Sequence, residues 1–201
     1  DGGSFSNRRV QARQHGEAIF VMSSSFKTPE QGLEHEDAAP DVPPPDECPP
    51  LSQILARTTG QSAEKWEREW GVLDARWAGH DRQGPDSGGA RMRVWLKTAG
   101  PVPDAPRIHQ ALLAYASDLT LLAVSTVPHL DEVRGRRSQI ATVDHSMWFH
   151  RPIRVDRWML YDQHSPSASN GLGFSLGRLY GDGVLGASTA QQGLIRYELG
   201  R

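Results

Sequence analysis

The feature that most constrains the fold is an apolar helix in the middle of the chain, PDAPRIHQALLAYASDLTLLAV at residues 103–124. Asp104 is suited to cap its first turn, and Pro106 fits the first helical position. From Ile108 to Leu122 the helix is apolar around nearly its whole circumference, whereas a helix on the surface of a domain has a polar face. We therefore predict a helix that is buried on all sides.

Strand-like segments lie on both sides of this helix in the sequence. Residues 90–100, ARMRVWLKTAG, alternate between apolar and polar side chains as a half-buried strand does. After the helix and a loop come QIATVDHSMWFH, RWMLYDQHSPSA, LGFSLGRLY and VLGASTAQQGLIRYEL, and a GDG turn joins the last two. One apolar helix followed by a meander of antiparallel strands predicts an α+β fold, in which a sheet is curled around a central helix.

The first part of the chain has a different composition. Residues 5–26 predict a β-hairpin around the turn QHGEA. Residues 27–50 include EHEDAAPDVPPPDECPP, whose prolines fix an extended backbone, so we interpret them as a linker. The chain opens without an initiator methionine and enters strand-like alternation almost at once, and we expect it to be the middle of a longer product.

Several polar side chains fall in segments that otherwise predict burial. Asp118 lies inside the apolar helix, and Gln191 shares an apolar face of the last strand. The stretch ATVDHSMWFHRP reads as a buried strand, with Thr142 and Asp144 on one face and His145 on the other by simple alternation. A polar side chain buried without a partner costs about 1–3 kcal/mol, so each of these residues is either paired for structural reasons or part of a site.

Charge and motifs exclude several classes of function. The formal net charge is -2 and no extended basic surface is evident, so we expect no nucleic-acid partner. The single cysteine, Cys48, cannot form an intrachain disulfide, and no apolar run has the length of roughly 18 residues that a membrane span needs. We expect a soluble, cytoplasmic protein with no membrane partner. No H-x3-H, C-x2-C, G-x-S-x-G or dinucleotide-binding pattern is present, so we expect no metal and no cofactor.

Four blocks of the sequence resemble a known family. HQALLAYASDL, IATVDHSMWFHRP, LYDQHSPSAS and ASTAQQGLIR are similar, in order and spacing, to the C-terminal half of the acyl-CoA thioesterase II family, the bacterial thioesterase B type. The opening DGGSFSNRRVQARQHGEAIF resembles the closing strands of that family's first half. The resemblance implies a double hotdog, two antiparallel sheets each wrapped around a long helix. It assigns 1–26 to the closing strands of a first, incomplete hotdog, 27–60 to the proline-rich linker and 61–201 to a complete second hotdog.

The same resemblance implies a site of Asp118, Thr142 and Gln191, which orient and activate a water that hydrolyses acyl-CoA to free fatty acid and CoA. A carboxylate acting as general base on a positioned water suits a thioester carbonyl, and this chemistry requires neither a metal nor a cofactor. One neighbour departs from the family pattern, because Gln192 follows Gln191 where the family commonly has Glu.

Two other functions fit the same residues. A hydratase or dehydratase of hotdog fold would act on acyl-CoA with Asp144 and His145, and it would change unsaturation without releasing thiol. A hotdog fragment would instead bind an acyl chain without turnover, because the pattern lacks the helix of the first hotdog. We expect either a fragment of a longer product or a second chain that completes the sheet. We also expect a homo-oligomer, since sheets of this fold commonly pair.

Overall fold

A computed structural model describes residues 2–59, 62–81, 90–133 and 136–198 of the chain. The chain divides into two compact units, Asp1–His35 and Glu36–Arg201. The smaller unit contains a two-stranded sheet, and the larger unit contains a six-stranded sheet with its helices.

The smaller unit is the β-hairpin that the sequence predicts. Strand β1 (Phe5–Gln14) pairs antiparallel with β2 (Glu17–Lys27). The two-residue turn between them has positive φ at both positions, 51° at His15 and 88° at Gly16, a geometry that matches the twist of the flanking strands in tight hairpins. Both strands expose large apolar side chains: Phe5, Val10, Ile19, Phe20, Val21, Met22 and Phe26.

The larger unit is built on a sheet with the strand order β3-β4-β6-β7-β8-β5. Every neighbouring pair in this sheet is antiparallel, and β3 and β5 form its two edges. The elements in chain order are a 3-10 helix at Pro45–Glu47, α1 (Leu51–Thr59), α2 (Ala63–Trp70), β3 (Leu73–Asp81), β4 (Ala90–Thr98), α3 (Pro106–Ser117), a 3-10 helix at Leu122–His129, α4 (Leu130–Val133), β5 (Ser138–Phe149), β6 (Met159–Ser169), β7 (Leu172–Gly181) and β8 (Val184–Tyr197).

Helix α3 packs one face into the hydrophobic core and exposes the other, where Gln110, Ala111 and Tyr115 lie, so the prediction of a helix buried on all sides is wrong. Leu113 and Ala116 on this helix are buried in one cluster with Leu121 and Val124 of the segment that follows it. Strand β4 alternates between buried and half-buried residues, which places four apolar side chains in the core: Ala90, Met92, Val94 and Leu96. The predicted α+β arrangement, with a sheet around a central helix, is confirmed.

The central helix differs from the prediction at both ends. Its N-cap residue is Ala105, which makes no side-chain capping bond. The Asp104 carboxylate accepts a hydrogen bond from Arg154 Nη1 at 2.8 Å and does not cap the helix. α3 ends at Ser117, so Asp118 is its C-cap residue and not an interior residue.

Hydroxyl side chains give a local reason for the early end of the helix. Ser117 Oγ donates to the Ala114 carbonyl at 2.8 Å. In the 3-10 helix that follows, Ser125 and Thr126 donate in the same way to carbonyls three residues earlier. Serine and threonine side chains that bond backbone carbonyls compete with regular helical hydrogen bonds and bend helices. The predicted continuous helix is therefore divided into α3 and a tighter 3-10 segment.

The predicted linker, 27–60, differs from the structure in its second half. The boundary between the two units falls after His35. Leu51, in α1, is buried in the core of the larger unit, and the Trp77 amide of β3 donates to the Pro49 carbonyl at 2.9 Å. Clustered prolines predict an extended backbone, but they do not reveal that this part of the segment packs against the sheet.

One stretch, Pro106–Val133, is long and apolar enough to cross a membrane by length and composition alone. In this unit it packs inside the sheet, with 56% of its most apolar window buried. Because the core helix of a folded domain meets the same criterion, the stretch is weak evidence for a membrane span.

Candidate active site

Three side chains from different elements meet at the C-terminal end of α3. Asp118 is the C-cap residue of that helix, Thr142 lies on β5 and Gln191 lies on β8. Gln191 Nε2 donates to Asp118 Oδ1 and to Thr142 Oγ1, each at 2.7 Å. Thr142 Oγ1 donates to Asp118 Oδ1 at 3.1 Å. The structure therefore brings together the three residues that the family resemblance implied.

A β-bulge explains how Thr142 reaches this position. The pairing of β5 with β8 changes register between Thr142 and Asp144, so Val143 is an extra residue on β5. An extra residue reverses the alternation of side chains beyond it. Thr142 and His145 therefore point to the same, inner face of the sheet. The expectation from simple alternation, that Thr142 shares a face with Asp144, is wrong.

The site has a buried side and an open side. Gln191 is 0% exposed, whereas Asp118 and Thr142 are both exposed. β5 is an edge strand with mostly exposed residues, so the prediction of a buried strand there is wrong. The prediction that Asp118 is buried is also wrong, because the chain leaves the helix at this residue. Solvent water therefore has access to the carboxylate.

A second layer of polar side chains lies behind Gln191. His145 Nδ1 is 3.2 Å from Gln191 Oε1, and His145 Nε2 is 2.9 Å from Ser117 Oγ. Ser117 is completely buried and directly precedes Asp118 in the chain. The carboxamide of Gln191 is thus bonded at its nitrogen and at its oxygen.

Asp144 points away from this network. Its carboxylate accepts a hydrogen bond from the Gln192 backbone amide at 3.2 Å. His145 lies on the inner face, so the two neighbouring side chains do not form one catalytic pair. This agrees with the sequence expectation that they point apart, and it removes the main support for a hydratase that uses both.

The sequence reasoning missed a buried hydrogen-bond network between the sheet and the helix end. Tyr161 on β6 donates to the Ser117 carbonyl at 2.9 Å, and its oxygen is also 2.9 Å from Thr189 Oγ1 on β8. Burial raises the pKa of the Tyr161 phenol well above its ordinary value, so this hydroxyl remains a donor. The available signal was weak: Tyr161 and Gln163 on one strand, like Thr189 and Gln191 on another, are two residues apart and therefore share a strand face, but every residue of YDQHS is polar, so no alternation marks that face.

The donors and acceptors of the site suit the activation of a water molecule. Among the described residues, the side-chain bonds to Asp118 end on Oδ1, which leaves Oδ2 as the carboxylate oxygen for a further partner. The Thr142 hydroxyl and the Gln191 amide are neutral groups that orient a water without charging it. In the part of the chain that the structure describes, no three His, Cys, Asp or Glu side chains are grouped as metal ligands.

Comparison with known proteins identifies relatives along most of the chain. A family profile described as acyl-CoA thioesterase matches residues 69–194. Acyl-CoA thioesterase 2 of Haemophilus influenzae is 32% identical over 203 residues, which cover 98% of this chain and 71% of the relative. Acyl-coenzyme A thioesterase 8 of Mus musculus is 31% identical over 216 residues, which cover 97% of this chain and 64% of the relative. The chain therefore spans less than two thirds of the length of the mouse protein.

Solved structures share the architecture of a sheet around a helix. The crystal structure of the acyl-CoA thioesterase II TesB2 of Mycobacterium marinum has a TM-score of 0.82 and 41% sequence identity, and the match covers 100% of this chain and 72% of that chain. A protein with hot dog fold from Alicyclobacillus acidocaldarius has a TM-score of 0.72 and 20% identity over 98% of this chain and 69% of that chain. At that identity the likeness shows the fold alone, and the fold is a hotdog.

Proposed function

The chain belongs to the acyl-CoA thioesterase family, whose members are hydrolases acting on thioester bonds, and from this premise we propose that it hydrolyses acyl-CoA to free fatty acid and CoA. The observation that carries the proposal is the meeting of Asp118, Thr142 and Gln191 at an open helix end, with pairwise distances of 2.7, 2.7 and 3.1 Å. A carboxylate beside two neutral hydrogen-bonding groups is the set that a general-base hydrolysis needs.

Each of the three residues has its own role in this proposal. Asp118 is the general base, and its exposure admits the water that it deprotonates. The water donates one hydrogen to the carboxylate and the other to Thr142 Oγ1, whose own hydrogen is donated to Asp118. It accepts one hydrogen bond from Gln191 Nε2, in place of the bond that this amide makes to Thr142. Two donated bonds and one accepted bond leave one lone pair of the water directed at the substrate, which is the positioning that accelerates such reactions.

The reaction then needs no covalent enzyme intermediate. As Asp118 takes the proton, the water oxygen forms a bond to the thioester carbonyl carbon. The carbon–sulfur bond breaks when the resulting intermediate collapses, and the CoA thiolate leaves. The proton held by Asp118 passes to that sulfur, so the products are a fatty acid and CoA thiol, and the carboxylate is regenerated.

The test is thiol release from acyl-CoA substrates of increasing chain length, measured with a colorimetric thiol reagent. The parent chain is expected to release thiol, and Asp118→Asn is expected to lower kcat/KM by at least about 100-fold, as removal of a general base does. The substrate length that reacts best measures the depth of the acyl site.

Asp144→Asn is the matched control, because it makes the same chemical change on a carboxylate that points away from the site. An asparagine there still offers an oxygen to the Gln192 amide, so near-parental activity is expected. Equal activity of parent and Asp118→Asn would make Asp118 structural. A change in unsaturation without thiol would indicate the hydratase, and bound acyl-CoA without turnover would indicate a binding module.

The exposed apolar side chains of β1 and β2 support a double-hotdog organisation, in which the hairpin belongs to a second sheet. A homo-oligomer remains a further proposal, motivated by the exposed edge strand β5. Light scattering at several protein concentrations tests it, and a monomer mass near 22.2 kDa at all of them would rule it out.

A further inference from the structure

The orientation of the Gln191 carboxamide is decided by its surroundings. A carboxylate oxygen only accepts hydrogen bonds, so the Gln191 atom at 2.7 Å from Asp118 Oδ1 is the amide nitrogen. Its second hydrogen is directed to Thr142 Oγ1, also at 2.7 Å. The amide oxygen therefore faces the other way, toward His145 Nδ1 at 3.2 Å.

The opposite orientation of this amide would disable the site. A rotation by half a turn would place the amide oxygen beside the Asp118 carboxylate, where two acceptors repel each other. It would also turn both amide hydrogens away from Thr142 and from a water held at the site. Because Gln191 is 0% exposed, bulk water cannot satisfy a misplaced amide, and protein groups must hold the correct orientation.

His145 supplies the group that fixes the oxygen end. Bonding to Gln191 Oε1 requires a proton on His145 Nδ1, because an amide oxygen only accepts hydrogen bonds. The other ring nitrogen, Nε2, lies 2.9 Å from Ser117 Oγ, so this buried side chain fixes the ring from its far end. The position of the ring is thus set by Ser117, and the orientation of the amide is set by the N–H at Nδ1.

We propose that His145 is a positioning residue for the hydrolysis, which acts by donating from Nδ1 to Gln191 and is itself held by Ser117. The inference rests on the proposed function. It deepens that function, since α3 then controls both ends of the amide through consecutive residues. Asp118 bonds the nitrogen directly, and Ser117 reaches the oxygen through His145.

The first experiment compares His145→Leu with His145→Asn in the thiol-release assay. Leucine removes the donor, and kcat is expected to fall about 10- to 100-fold with little change in KM, because the attacking water loses its alignment. Asparagine carries an amide N–H near the position of Nδ1, so it is expected to retain most of kcat. Circular dichroism of each variant verifies that it is folded.

Equal losses in the two folded variants would overturn the proposal, because they would show that the N–H donor is irrelevant. Parental activity in His145→Leu would overturn it as well. Either result, combined with a strong loss in Asp118→Asn, would leave the proposed function intact.

The second experiment reads the tautomer directly and does not depend on turnover. Nitrogen-15 NMR of histidine-labelled protein distinguishes a proton on Nδ1 from one on Nε2, and the signal missing from His145→Asn identifies the residue. A proton on Nδ1 is expected in the parent, and its loss from that position is expected in Gln191→Leu. A parent tautomer with the proton on Nε2 alone would overturn the role of His145, whereas a parent that releases no thiol would count against the proposed function.

Discussion

β4 and β8 belong to the same antiparallel sheet and both have a buried inner face, but the two faces differ in chemistry. Every second residue of β4 from Ala90 to Leu96 is apolar and buried. On β8 the same spacing gives Ala187, Thr189 and Gln191, which are buried to the same degree. The two strands are therefore equally buried, but the buried side chains of β4 are apolar and those of β8 include hydrogen-bonding groups.

The inner face of β4 requires only side chains that fill space. Val94 and Leu96 pack in the cluster that contains Leu113 of α3. Burial of such a side chain contributes about 1.5–3 kcal/mol and has no preferred direction. Another apolar side chain of similar volume would serve nearly as well.

The inner face of β8 requires partners with defined directions. Thr189 bonds the Tyr161 hydroxyl, and Gln191 bonds three side chains of the site. A buried amide or hydroxyl that loses its partner costs about 1–3 kcal/mol. Buried positions whose chemistry is fixed by hydrogen bonds, and not by volume, thus mark the functional end of this sheet.

The comparison predicts its largest effect on stability at β4. Leu96→Ala is expected to lower the free energy of unfolding by about 2–5 kcal/mol, because the lost methyl groups leave a cavity. Urea denaturation followed by tryptophan fluorescence measures the change.

Leu33→Ala is the control for Leu96→Ala, because the same substitution at an exposed leucine is expected to stay within about 0.5 kcal/mol of the parent. If Leu96→Ala costs less than about 1 kcal/mol, the core around β4 rearranges to fill the space. The conclusion that the inner face of β4 is stabilised by close packing would then be wrong.

Tyr161→Phe tests the requirement for directed partners. The substitution keeps the ring but removes the hydroxyl that bonds the Ser117 carbonyl and Thr189, so a loss of about 1–3 kcal/mol is expected. Tyr115→Phe is the matched control, since Tyr115 is 43% exposed and is expected to change stability by less than about 0.5 kcal/mol. Equal effects of the two substitutions would mean that the buried hydroxyl contributes nothing.

Periodicity in the sequence predicts much of the fold, because burial leaves a regular pattern. The apolar circumference of 108–122 predicts the central helix, and alternation predicts β4 and β8. Alternation fails at Val143, because the bulge there depends on pairing with β8, a strand that comes much later in the chain. The sequence of β5 alone therefore does not predict the shift in register.

The family resemblance identified the three site residues. The apolar composition around them did not predict their exposure to solvent. An apolar segment predicts burial for Asp118, but the hydroxyl bond of Ser117 accompanies the helix end at that point. The apolar residues of β5 predict a buried strand, but its place at the sheet edge exposes most of them. Helix ends and sheet edges are set by tertiary contacts, so a pattern within one segment cannot locate them.

Thr189→Val is expected to change stability least, and it tests whether one hydrogen bond on the inner face of β8 depends on its partner. The Tyr161 hydroxyl has one hydrogen, which it donates to the Ser117 carbonyl, so the Thr189 hydroxyl is the donor in their shared bond. Valine has a similar shape and leaves Tyr161 its bond to Ser117, so the expected cost is about 0.5–1.5 kcal/mol. In a Tyr161→Phe background the same change is expected to be neutral or stabilising, because it removes a buried hydroxyl whose partner is already gone. A double-mutant cycle measured by urea denaturation gives this coupling, and additive effects would show that the two hydroxyls do not depend on each other.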